Sequence, residues 1–197
     1  FELGEYVRLL TQGENAFQNT LGSFDLSQVS MDIESIVRFD DNTNEQNIPG
    51  NKTLFTYGNI ELYGTTRKYL NAFSNDLDVR GYILAGRNTP LEDNGKNIYL
   101  GGNWNVDPDD ALLSGTLYMD GTDQEITGHT KVNHIVFRNS GTKTINGNLT
   151  VKGNLTIEGD AVADGTGRTI YLRGNWSETG NGRFEQNSGT VYFDGRS

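Results

Sequence analysis

Asp107, Asp109 and Asp110 put three carboxylates into four positions of this 197-residue chain, and Asp40-Asp41-Asn42 with Glu45 makes the next densest group of hard oxygen ligands. Two chemistries use such groups. A hard cation such as Ca²⁺ takes oxygens from carboxylates, amide side chains and backbone carbonyls, and polysaccharide cleavage uses paired acids across a groove. Neither cluster follows the residue order of an EF-hand loop. Repetition argues against catalysis: Asp40, Asp120 and Asp194 stand at equivalent places in three copies of one pattern, whereas a reaction centre is normally made once. A recurring Asp is expected to hold a turn through its own side chain. The chain is therefore read as non-enzymatic. Asp107, Asp109 and Asp110 are kept as candidate calcium ligands, and no other cofactor is expected.

Nucleophilic catalysis has little material. His129 and His134 are the only histidines, cysteine is absent, and no Gly-x-Ser-x-Gly elbow occurs. Both histidines are expected on the surface or at a rim. Trp104 and Trp176 each follow Gly-Asn and invite a carbohydrate-stacking role, set against core packing in which each stacks on its equivalents. Thr150 and Thr156, in two similar Leu-Thr-Val/Ile strands, raise the idea of an outward threonine ladder.

The elements that must position these residues are short strands. Ile98 and Leu100, Leu117 and Met119, Ile135 and Phe137, Leu149 and Val151, Leu155 and Ile157, and Ile170 and Leu172 alternate with polar residues, which places each pair on one strand face. Gly147, Gly153, Gly159 and Gly165 recur every six residues, so strand and corner together take six positions. A longer period overlies this. KNIYLGGNW at 96–104 returns as RTIYLRGNW at 168–176, and Leu77-Asp-Val-Arg-Gly81 returns as Leu149-Thr-Val-Lys-Gly153, both 72 residues on. Gly115-Thr-Leu-Tyr-Met-Asp-Gly121 returns as Gly189-Thr-Val-Tyr-Phe-Asp-Gly195 after 74, with a degenerate copy at Ser35-Ile-Val-Arg-Phe-Asp40.

These repeats divide the chain into a degenerate unit over 35–114, a second over 115–188 and the start of a third over 189–197. Residues 1–34 form either the tail of a preceding unit or an N-terminal cap with a short helix over Glu5 to Leu10. The fold expected is all-β, a right-handed parallel β-helix (solenoid) of roughly eight coils at about 20–25 residues each. The alternative is a string of β-sandwiches, one per unit, for which Asn94-Gly95 and Asn146-Gly147 would serve as hairpin turns.

Composition narrows the function classes. The 25 Gly, 22 Asn and 20 Thr suit turns and short strands. No run approaches the ~20 apolar residues of a membrane helix, so membrane insertion is not expected. Sixteen basic against 26 acidic residues give a net charge of −10, a field that repels phosphate backbones and makes nucleic acid a poor partner.

The succession GTLYMDGTDQEITG (115–128), VNHIVFRNSGTKTINGNLTVKGNLTIEGD (132–160), IYLRGNW (170–176) and GTVYFDG (189–195) resembles the repeat region of very large secreted surface proteins of Bacteroidota and similar Gram-negative bacteria, found in adhesin-like proteins and surface filaments. The resemblance covers about residues 35–197 and is strongest from 96 onward; before that, Gln46-Asn-Ile-Pro-Gly50 stands for Gln-x-Ile-x-Gly and no Trp occurs. It implies an extracellular, cell-surface segment of a longer secreted repeat protein, forming a stiff stalk or filament. Its expected partners are neighbouring repeats or identical subunits end to end, with surface glycans as a further class. The competing function is a polysaccharide-binding or polysaccharide-degrading β-helix.

Overall fold

The computed structural model describes residues 2–3, 8–11, 30–50, 55–70, 75–107 and 111–195, the first two segments as backbone only. Every strand pairing among the described residues is parallel. The strands stack into a β-solenoid, a parallel β-helix with three faces. The first face stacks Leu77–Val79, Ile98–Leu100, Thr116–Met119, His134–Phe137, Leu155–Ile157 and Trp176–Glu178. The second is a nine-stranded sheet from Arg8–Thr11 to Arg183–Glu185. The third holds two four-stranded sheets, from Gln46–Asn47 to Ala111–Leu112 and from Thr130–Val132 to Thr190–Phe193. Tandem sandwiches are thereby replaced by one stack. Asn94 and Gly95 do take the positive φ values of a tight turn, 50° and 78°, but they turn a corner between parallel strands. Arg8–Thr11 is a strand paired with Ile36–Phe39, not the end of the helix expected over Glu5 to Leu10; Glu5 to Val7 lie outside the described residues.

Alternation builds the core. Leu77, Ile98, Leu117, Ile135, Leu155 and Trp176 lie one above the next on the first face, so successive coils take 21, 19, 18, 20 and 21 residues. These coils are shorter than most of the expected range, because most strands are only two to four residues long, Ser140–Asn146 and Asp160–Asp164 being the longer ones. Val37, Ile60, Ile83, Trp104, Ile126 and Ile145 form the inner column of the second face, and Leu149, Ile170 and Val191 that of the third. Burying one such side chain contributes about 1.5–3 kcal/mol. A single coil has no interior of its own, so the gain exists only between coils.

The sequence repeat and the coil do not share a period. Leu77–Val79 and Leu149–Val151, Ile98–Leu100 and Thr169–Leu172, and Thr116–Met119 and Thr190–Phe193 are each eleven strands apart. Eleven is not a multiple of three, so every repeated strand of the first face reappears on the third. Trp104 lies on the second face and Trp176 on the first, and the two do not stack on one another. Thr150 and Thr156 likewise occupy different faces and form no ladder.

The corners explain the Gly and Asn content. Parallel coils lie about 4.8 Å apart, leaving no room for side chains pointing along the axis. A Cβ added at Gly147 would collide with the backbone carbonyl of Gly128 on the coil before. Polar residues just before the strands carry the remaining amides. Asp76 Oδ1 accepts from Asn97 N at 2.9 Å and Asn97 Oδ1 from Thr116 N at 3.1 Å. Farther along, His134 Nδ1 accepts from Asn154 N at 2.9 Å, and Asn154 Oδ1 from Asn175 N at 3.0 Å. Gly147→Ala is expected to cost about 2 kcal/mol or more, in line with overpacking of a rigid site, read as a drop in the thermal unfolding midpoint; an unchanged midpoint would refute the close coil contact.

Candidate functional site

The structure separates the residues singled out for chemistry. Trp104 is 0% exposed and covered by Ile126 of the next coil, so no indole face is available to a sugar ring. Trp176, one repeat later, sits half-buried on the last coil of the first face. It meets Phe184 edge to face at 5.0 Å and donates Nε1–H to Glu178 Oε1 at 3.0 Å. The Ile-Tyr-Leu-x-Gly-Asn run before both tryptophans is shared, and the difference comes from position in the stack. Asp107 is half-buried after the Trp104–Asn105 strand, and Asp109 and Asp110 lie outside the described residues. Among the described residues no three acidic or imidazole groups converge as a metal site would require.

The recurring aspartates do not hold their own turns. Asp120 pairs with Arg138 at 2.8 Å and Asp194 with Arg173 at 3.5 Å, while Asp40 Oδ1 is buried without a hydrogen-bond partner. Turn capping falls to other residues. Asp41 accepts from the amides of Thr43 and Asn44 at 2.6 and 3.0 Å. Asp93, 1% exposed, accepts from Gly95 N, Ser114 N, Ser114 Oγ and Gly115 N, each at 2.9 Å, and so ties two coils together.

The most heavily connected polar site was not found from the sequence. At the corner after Phe39-Asp40, Gln46 Oε1 accepts from Asp41 N at 2.9 Å, and the ammonium of Lys68 donates to Asp41 O at 2.8 Å and Thr66 Oγ1 at 2.9 Å. At the corresponding corner after Met119-Asp120, Gln124 Oε1 accepts from Gly121 N at 2.9 Å. There Lys143 Nζ donates to the carbonyls of Gly121, Thr122 and Ser140 at 2.5, 2.8 and 2.7 Å. Gln46 and Lys68, and Gln124 and Lys143, are register partners on successive coils, and both lysines are 0% exposed. The Gln-x-Ile-x-Gly motif signalled the glutamine; nothing in local sequence marked the lysine one coil later.

This arrangement bears on the weighed cation site. At Asp40-Asp41-Asn42, a lysine ammonium holds the corner carbonyl that a metal would be expected to seek. Burial pushes both lysines down to about 8, opposed by Asp41 and Asp40 around Lys68 and by Asp123 and Asp120 around Lys143. They remain largely protonated at neutral pH, Lys68 holding one corner carbonyl and Lys143 three.

Outward side chains are mostly engaged across coils. Arg38 pairs with Glu61 at 2.5 Å, and Arg67 with Glu45 and Glu92 at 2.7 and 2.5 Å. Tyr99 and Tyr118 stack at 4.5 Å with the Arg138 guanidinium over both rings, and their repeat equivalents Tyr171 and Tyr192 stack at 5.4 Å. An open groove of about 480 Å³ on the second face is lined by Asn103, Asp123, Gln124, Glu125, Thr142 and Thr144. Its two acids already accept hydrogen bonds, Asp123 from Thr142 N at 2.8 Å and Glu125 from Asn146 Nδ2 at 2.5 Å. No protein-family model, curated protein or solved structure matches the chain.

Two expectations follow from the buried lysines. Lys143→Met strips three carbonyls of their donor and should lower stability by about 2 kcal/mol, measured by denaturant unfolding. Above pH 8 the folded protein gives up these protons while the unfolded chain keeps them to near 10.5, so the unfolded state binds more protons and stability rises with pH. That rise, followed between pH 8 and 9.5, should shrink in Lys143→Met and vanish when Lys68→Met is added; an unchanged rise in the double variant would refute it.

Proposed function

We propose that this chain is a non-enzymatic structural or adhesive segment of a longer repeat protein, an extracellular stalk or filament piece at a bacterial cell surface. The observation that carries the reading is the eleven-strand repeat running through a three-strand coil around one continuous core. Each added unit extends the same stack, with no linker and no change of cross-section. At about 4.8 Å per coil, a unit of three and two-thirds turns adds ~18 Å and shifts its surface features by one face. A stalk with that rule carries the same decoration in all directions after three units. An outward tyrosine pair recurs, Tyr99 with Tyr118 and Tyr171 with Tyr192; Arg138 covers the first, and the exposed second pair offers flat apolar rings to surface glycans or to a neighbouring rod. Internal ammonium groups, in place of dissociable ions, would make such corners insensitive to chelators.

Small-angle scattering on proteins carrying one, two and three extra copies of residues 115–188 tests this. The maximum dimension should grow by ~18 Å per copy with a constant cross-sectional radius of gyration. Growth of the cross-section, or the broad profile of beads on flexible tethers, would contradict it.

A further inference from the structure

The last described coil ends in an apolar surface. Trp176, Phe184, Val191 and Phe193 line a shallow hollow of about 280 Å³, with Glu178 at its rim, and Phe193 is 68% exposed. Every one of these side chains points into the solenoid interior, as the register with the coil below requires.

The repeat identifies what fits there. Eleven strands earlier, the same three-strand arrangement is Trp104–Asn105, Ala111–Leu112 and Thr116–Met119, and in that copy the surface is covered. Ile126 sits on Trp104, Ile135 on Leu117 and Phe137 on Met119. Beneath this cover Trp104 and Met119 are 0% exposed and Leu117 1%. Trp176, Val191 and Phe193 are the equivalents of these three residues.

We propose that the surface formed by Trp176, Phe184, Val191 and Phe193 is a docking site for one further parallel coil, covalently joined behind Ser197, that carries the pattern of Gln124–Phe137. Such a coil brings a Gln-x-Ile-x-Gly strand whose Ile closes over Trp176, and a strand of the His134–Phe137 type whose two apolar residues close over Val191 and Phe193. The glutamine would read the corner amide of Gly195, as Gln124 reads that of Gly121. This deepens the stalk reading and rests on it, since it names the sequence that one unit requires of the next.

The test joins a copy of residues 124–141 directly behind Ser197 and compares it with a chain in which the copied Ile126, Ile135 and Phe137 positions are Asp. Acrylamide quenching reports on the two indoles, of which Trp104 is already shielded. In the matched extension Trp176 should become as unquenchable as Trp104, and the thermal midpoint should rise above that of the Asp-bearing control. Equal quenching of Trp176 in the two proteins would overturn the proposal. Phe193→Asp supplies a second reading: it should lower the midpoint of the matched extension and leave that of the unextended chain unchanged, and equal effects in both would count against docking. If Trp176 in the unextended protein becomes shielded as its concentration rises, a second copy occupies the surface and the assignment to a joined coil falls. None of these failures touches the scattering series, which tests the rod by its growth per unit.

Discussion

A coil of three short strands cannot satisfy its own backbone. Each amide and carbonyl that faces along the axis must find its partner on the coil above or below, about 4.8 Å away. That spacing governs the rest. It forces inner side chains into columns, so that Ile98 rests on Leu77 and Leu117 on Ile98. It excludes a Cβ at corners such as Gly147. It also obliges corner amides to find side-chain acceptors, and Asp76, Asn97, His134 and Asn154 provide them. The buried lysines belong to the same problem. Where the chain turns after Phe39-Asp40 one carbonyl, and after Met119-Asp120 three, are served inside the stack by an ammonium from the next coil. An ammonium that donates to three carbonyls keeps its hydrogen-bonding capacity filled, which offsets part of the desolvation that lowers its affinity for the proton.

The mismatch between repeat and coil has a consequence for surface chemistry. A repeat equal to a whole number of turns would stack identical outward residues into a stripe, the arrangement a linear ligand would recognise. Eleven strands in a three-sided stack instead carry each feature to a different face, as Tyr99 and Tyr171 illustrate. The inner columns tolerate this because all three faces make the same demand, an apolar residue at alternate positions. Outward residues face no such common demand. Arg138 covers the Tyr99–Tyr118 pair, whereas Tyr171 and Tyr192 are 39% and 53% exposed.

Much of the fold was legible because solenoid constraints are local. Alternating pairs gave the inner faces, and glycines six residues apart gave strand plus corner. What could not be read was anything that depends on which residues lie a coil apart. Lys143 stands nineteen residues after Gln124, and only the stacking register brings the two together at one corner. The same limit misled the treatment of the recurring aspartates. Asp40, Asp120 and Asp194 look like turn caps from their neighbours in sequence, but Asp120 and Asp194 engage arginines from adjacent coils. The tryptophans show the converse: a shared Ile-Tyr-Leu-x-Gly-Asn-Trp run, with burial set by whether another coil lies above.

The stacking register itself is open to direct measurement. Because the chain has no cysteine, single pairs can be introduced and spin-labelled. Asp78, Val136 and Ser177 face outward on the first face, with Val136 three coils and Ser177 five coils from Asp78. At about 4.8 Å per coil, pulsed dipolar spectroscopy should place label pairs 78–136 and 78–177 at backbone separations of ~14 and ~24 Å, in proportion to the number of coils between them. A 78–177 distance no longer than the 78–136 distance, or a broad spread for either, would contradict the single continuous stack.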